Sequence, residues 1–191
     1  MDLDTISNRQ ELIGTFPSLA DDPNFRISSP STWDYNCIAW AMGFENRWVS
    51  HISDPYLNDI RKRFIWWPPG IEISERCDAL IEAFKAVGFE ETIDNGFNPH
   101  YDKAVLYTDG IKWTHASRLI GDGLEHSKFG GLYDAFHSSN RFENTVYGSP
   151  YAYMQRLHSL KEEYIKRHPI KYGSITIHED RLKEILILLK S

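Results

Sequence analysis

Apolar positions along this chain recur with two periods, and each predicts a different element. Cys77, Leu80, Ile81, Phe84 and Val87 are spaced by three and four, which predicts a helix over residues 74–87, capped by Ser74 and stopped by Gly88. Cys77 falls on that stripe and reads as a small core residue. Lys103 to Tyr107, Ile111 to Ile120 and Leu124 to Phe129 read as strands instead, joined through Asp109-Gly110 and Gly121-Asp122-Gly123. They predict an antiparallel meander. Period two puts Ile111, Trp113, His115, Ser117 and Leu119 on one face of its middle strand, and Thr114, Ala116 and Arg118 on the other.

The flanks are less regular. Ser7 to Ile13 predicts a short helix, Asp21 to Asn24 a turn, and Phe25 to Ser29 an extended segment. Residues 43–70 read as irregular, because Trp66-Trp67 before Pro68-Pro69 cannot continue a helix. Residues 130–148 read as loop. Helical spacing returns from Tyr151 to Arg167, through Tyr153, Met154, Leu157, Leu160 and Tyr164. Tyr172 to Ile177 then predicts a last strand, and Asp180 to Lys190 a closing helix.

One stretch combines an apolar run with reactive chemistry. Ser31, Thr32, Asp34 and Asn36 all favour helix N-caps, and Ile38 to Met42 is apolar up to Gly43. Cys37 is thereby placed in the first turn of a short buried helix, where free N–H groups and the helix dipole favour thiolate.

Composition narrows the class. The 191 residues suffice for one domain with a real core. A net charge of −6 argues against a nucleic-acid binder, and Arg61-Lys62-Arg63 reads as a solvated cluster. No apolar run spans a bilayer, and the acidic start lacks a signal-peptide pattern. Two cysteines make no disulfide framework, so the cytoplasm is the default setting, with delivery as a secreted effector as the exception. Neither a His-Glu-x-x-His nor a paired Cys-x-x-Cys is present, so no metal site or other cofactor is expected.

A cysteine on a helix followed by a histidine on a strand is the order of papain-like enzymes. The imidazole takes the thiol proton, the thiolate attacks a carbonyl carbon, and the imidazolium protonates the leaving group. A third group fixes the imidazole. With a three-residue turn at 121–123, Ser117 faces Ser127 and His115 faces Phe129, so Ser127 is a diagonal neighbour of His115. His126, Asp134 and His137 are rivals for that place. The Cys37 N–H and the Asn36 side chain are candidate oxyanion donors. Trp40, Trp66 and Trp67 are candidate substrate-contacting residues, although the large rings at 66 and 67 also suit capping of the core.

Several segments carry a resemblance. Asn24-Phe25, Ile27, Ser28-Ser29-Pro30, Tyr35-Asn36-Cys37-Ile38-Ala39-Trp40-Ala41, Trp66-Trp67-Pro68, Ala104, Leu106-Tyr107, Thr114-His115-Ala116-Ser117-Arg118 and Ser127-Lys128-Phe129-Gly130 resemble an uncharacterised bacterial domain family over residues 24–137. In arrangement that family is similar to the NlpC/P60 and CHAP branches of the papain-like superfamily, cysteine peptidases and amidases of which many act on peptidoglycan. The resemblance implies Cys37 as nucleophile and His115 as general base. It does not extend to the C-terminal third, nor to the Asp-Cys-Ser or Gln-Cys contexts of those branches.

The expected protein is a single α+β domain of papain-like, NlpC/P60-like topology, its nucleophile helix packed on an antiparallel sheet. Residues 1–23 are an expected N-terminal extension, 24–150 the core and 151–191 a C-terminal helical extension packed on it. The expected function is cysteine-dependent hydrolysis or acyl transfer at an amide of a peptide or protein, a cell-wall peptide among the candidates. The alternatives are a deamidase- or transglutaminase-like effector, and a catalytically inactive binding or immunity-type protein with a protein partner.

Overall fold

The computed structural model describes residues 3–51 and 65–168, and the elements below are those found there. In chain order they are α1 (Ile6–Thr15), a 3-10 turn (Pro17–Leu19), β1 (Arg26–Ile27), α2 (Cys37–Met42), β2 (Trp48–Val49) and β3 (Ile65–Trp66). Then come α3 (Cys77–Ala86), β4 (Glu90–Thr92), β5 (Tyr101–Thr108), β6 (Trp113–Gly121), β7 (Leu124–Lys128), β8 (Asp134–Ser138), β9 (Ser149–Leu157) and α4 (His158–Arg167). The fold is mixed α+β. Seven strands form one antiparallel sheet in the order β1-β8-β7-β6-β5-β9-β4, and β2 pairs with β3 in parallel apart from it.

Strand alternation gives the sheet two buried faces. One face packs Ala104, Leu106, Ala116, Ala152 and Met154 against α2 and α3. The other packs Val105, Tyr107, Leu119 and Ala135 against Leu12, Phe16 and Leu19 from α1 and the 3-10 turn. A sheet covered on both sides has little solvated face, so its strands carry apolar residues at successive positions. Leu12, Phe16 and Leu19, all before residue 24, are thus part of that core layer.

The meander forms as the turn signals predicted, with one departure. The pairs Thr108↔Trp113 and Tyr107↔His115 leave Thr114 unopposed in a bulge. The bulge inverts the alternation, so Trp113 joins the α2 face while His115 and Ser117 stay on the other. Ile111 lies outside the strand and is exposed. At the next turn Gly121 pairs with Leu124, and an irregularity at Ile120 restores Leu119↔Glu125 and Arg118↔His126. The resulting offset is the one a three-residue turn would give.

Four expectations are corrected. Residues 151–157 are not helical: they are β9, between β5 and β4, and α4 begins only at His158. Tyr151, Tyr153 and Gln155 alternate with buried Ala152, Met154 and Arg156, so period two prevails over the three-and-four spacing. The boundary at 150/151 consequently cuts a core strand. The 130–148 loop contains β8. The helix expected from Ser74 starts at Cys77, with Ser74 Oγ accepting the Arg76 N–H at 3.2 Å. Cys77 is half-buried, 3.4 Å from Thr108 Oγ1. The expected strand 172–177 and helix 180–190 lie outside the described residues, as does the 61–63 cluster.

The connection from β8 to β9 is pinned at Gly148. Its φ is +71°, and a Cβ there would meet the Thr108 carbonyl oxygen at 1.9 Å. Backbone cannot yield as a side-chain tip can. Gly148→Ala is expected to cost roughly 2–4 kcal/mol, read as a lowered urea midpoint at unchanged slope. A loss under about 0.5 kcal/mol, the range of ordinary surface changes, would contradict this close approach.

Candidate active site

Asn36 begins α2 by accepting the Ala39 N–H at 3.0 Å, and Gly43 ends it in the left-handed region at φ +97°. Cys37 is thus the first helical residue. Its sulfur faces the backbone N–H of Ala116, together with those of Ile38 and Cys37 itself. Ala116 lies past the end of the β6–β7 ladder, which stops at Arg118↔His126, so the sulfur meets backbone that the ladder leaves open. Burial pushes the thiol up to about 11; these N–H groups and the Lys128 ammonium pull the other way and do not offset it. Some of Cys37 still reaches the surface, but desolvation of its sulfur dominates the proton equilibrium.

His115 projects from β6 to the opposite face and is fully buried. Its Nε2 lies 2.9 Å from Ser127 Oγ, and Ser127 Oγ lies 2.8 Å from His137 Nε2. His137 Nδ1 is 2.9 Å from the Ser138 carbonyl oxygen, which can only accept. Burial holds both imidazoles neutral, lowering His115 well below the ordinary histidine value and His137 below it. The proton order follows. His137 carries its proton on Nδ1 and accepts from Ser127 at Nε2; Ser127 in turn accepts from His115 Nε2–H. His115 Nδ1 is left with a bare lone pair, and it is buried without a hydrogen-bond partner.

Tyr147 covers this imidazole, its ring 3.9 Å away and 6° from parallel, and Phe142 meets the ring edge at 5.4 Å. Burial raises the Tyr147 phenol well above its ordinary value, and the charge of Cys37 adds to the effect. The phenol thus lies within electrostatic reach of the sulfur while its ring stacks on the imidazole. Thiol and imidazole nevertheless approach from opposite faces of the sheet, and no hydrogen bond joins them.

The structure therefore brings His115 and Ser127 together on the expected diagonal and adds His137, one of the three rivals. The other two lie on the α2 face. His126 stacks on Phe136 at 4.3 Å and reaches Ser28 Oγ at 2.7 Å. Asp134 accepts from Tyr35 at 2.6 Å and pairs with Lys128 at 3.6 Å. The Asn36 amide, expected to donate to an oxyanion, is committed elsewhere: Oδ1 also accepts the Val49 N–H at 3.2 Å and Nδ2 donates to the Val49 carbonyl at 2.8 Å, tying α2 to β2. Trp40, on α2, packs in the core. Its indole donates to the His126 carbonyl at 3.3 Å, and the Arg118 guanidinium lies 3.5 Å over its ring. Trp66 meets Phe44 and His168 edge-on or tilted, while Trp67 stacks on Trp113 at 6.1 Å; both are half-buried against the α2 core.

Lys128 and Tyr147 were not anticipated. Lys128 is fully buried on the strand that carries Ser127, and a lysine inside the Ser127-Lys128-Phe129 strand end was its only trace in sequence. Tyr147 falls in a segment read as loop. Among the described residues no group of three or more His, Cys, Asp or Glu side chains is placed to hold a metal ion, and no helix is long and apolar enough to cross a membrane.

No curated protein and no solved structure matches the chain. Residues 26–155, which run from β1 nearly to the end of β9 and include Cys37, His115 and Ser127, match the model of a domain of unknown function, and the chain belongs to that family, DUF7689.

Proposed function

We propose that Cys37, His115 and Ser127 form a thiol site that hydrolyses or transfers an acyl group at a peptide or protein amide, in a papain-like arrangement of the NlpC/P60 kind. The observation that carries it is the bare, buried lone pair on His115 Nδ1, fixed there by the Ser127–His137–Ser138 proton order, with the Cys37 sulfur on the next residue's N–H. Nδ1 takes the thiol proton and the sulfur attacks the carbonyl carbon. The tetrahedral oxyanion accepts from the Cys37 N–H, and the imidazolium returns the proton to the departing amine. Water or a second amine then repeats the attack on the thioester. Ser127 and His137 hold the tautomer, and Lys128 favours the thiolate through space.

The site is shut at rest. Burial favours the neutral thiol and neutral imidazole over the ion pair, and no hydrogen bond joins them at rest, so turnover requires an opening in which Tyr147 leaves the ring and the sulfur comes within hydrogen-bond reach of Nδ1. The same burial favours a second reading, a binding or immunity-type protein in which the cluster only packs. A peptidyl acyloxymethyl ketone separates the two, because it alkylates a thiolate paired with imidazolium. A Cys37 adduct that is lost in His115→Ala and slowed in Ser127→Ala supports the enzyme. Wild-type protein left unlabelled after prolonged incubation, or labelled equally in His115→Ala, overturns it.

A further inference from the structure

At the far end of α2 from Cys37, a cavity of about 240 Å³ opens between Gly43, β5, β6 and the start of α4. Four cations line it: Lys103, Arg118, Arg156 and Lys161. Two are matched by carboxylates. Lys103 Nζ, almost wholly buried, is saturated by the Asp94 carboxylate at 2.8 Å and by two backbone carbonyls. Arg156 pairs with Asp102 at 2.9 Å, and the same carboxylate takes His158 at 2.9 Å.

The other two cations have no such match. Arg118 spends Nε on the Trp40 carbonyl at 2.8 Å, and its terminal nitrogens make no hydrogen bond among the described residues. Asp102, Glu45 and Asp134 act on it only through space. Lys161 makes no ion pair among the described residues, and Asp102 acts on it only through space. Arg156, 2 % exposed, has in addition a buried Nε–H without a partner. Capping the α2 carbonyls explains Arg118 Nε and one Arg156 nitrogen, but none of these free donors. A buried N–H left unpaired costs about 1–3 kcal/mol, so a donor such as Arg156 Nε–H is ordinarily answered by an acceptor, while the half-buried Arg118 and Lys161 heads remain open to the cavity.

The floor is cut to fit. Gly43, required by the left-handed end of α2, also leaves room here: a Cβ would come within 3.1 Å of Lys161 Cε and 3.3 Å of Arg156 Nη2. Phe97, Tyr101, Leu119 and Ile120 add an apolar wall.

We propose that this cavity binds a small phosphomonoester, its dianionic phosphoryl group among Arg118, Arg156 Nε and Lys161 and its body against Phe97 and Tyr101. The two unmatched cations equal the charge of that group near neutral pH, and arginine supplies the planar donor fork that suits it. The inference is independent of the chemistry at Cys37.

Phenyl phosphate is the probe, titrated calorimetrically into the full chain at constant ionic strength, with phenyl sulfate, phenol and sodium chloride as controls. The expected result is saturable one-to-one binding, weakened at least tenfold in Lys161→Met and Arg118→Met. Lys161 sits on the surface of α4 and is the variant that decides the matter if Arg118→Met fails to fold. Heat matched by sodium chloride, equal affinity for phenyl sulfate, or undiminished affinity in a folded Lys161→Met would each overturn the assignment.

Discussion

Iodoacetamide is expected to alkylate Cys37 more slowly than a free thiol at pH 7.5, and the rate should rise about tenfold per pH unit until about pH 11. The sign follows from the proton equilibrium. Burial disfavours the thiolate, so the reactive fraction at neutral pH is roughly 300-fold below that of an ordinary cysteine with a pKa near 8.5. The more basic thiolate regains about tenfold through its nucleophilicity, leaving a deficit on the order of 30-fold before access is considered. Cys77 reports on the same digest, so peptide-level mass spectrometry reads both sites separately. Tyr147→Ala should raise the Cys37 rate by unstacking the imidazole and admitting water. A rate for wild-type Cys37 that instead levels off below pH 8 would mean that thiolate and imidazolium already pair in solution, and the closed geometry would be wrong for the resting protein.

The sequence made this site legible where local chemistry alone sets position. Asn36 caps, Ile38 to Met42 bury and Gly43 stops, so Cys37 had to head a helix. The His115–Ser127 diagonal was legible because a hairpin offset is fixed by its turn, and a two-residue turn with an irregularity gives the same offset as three residues. The face each side chain takes was harder. A bulge at Thr114 has no strong signature, yet it alone puts Trp113 and His115 on different faces. Tyr147 was not legible, since its position over His115 depends on a long-range pin at Gly148. The burial of Trp40 was not legible either, because an aromatic on a short helix beside a cysteine suits a cleft as well as a core, and the Arg118 guanidinium over its ring comes from another element.

Arg156→Met is expected to destabilise the fold by about 3–5 kcal/mol in urea at pH 7. Methionine keeps most of the aliphatic stem, so the loss comes mainly from the guanidinium, both its polar contacts and its place over the Phe89 ring. The guanidinium donates to the Val87 carbonyl at 3.0 Å, the Met42 carbonyl at 3.0 Å and the Asp102 carboxylate at 2.9 Å, joining the C-terminal ends of α3 and α2 to β5. Removing it strands two carbonyls, each costly to leave unpaired in low dielectric, and leaves the Asp102 carboxylate with only His158 as an ion-pair partner among the described residues. Arg156→Lys should fall between, because one ammonium cannot span three acceptors fixed on three elements. A pH series makes the test sharper. Burial alone would raise the Asp102 pKa, but Arg156, Lys161 and His158 hold it below the ordinary carboxylate value. A depressed native pKa stabilises above the unfolded value of about 3.9 and is lost as pH falls through the native one. Wild type should therefore lose this contribution below about pH 4, and Arg156→Met, with its carboxylate no longer held down, should lose less over the same interval. Parallel acid limbs in the two proteins, or a loss at pH 7 below about 1 kcal/mol, would mean that Arg156 does not tie these three elements together.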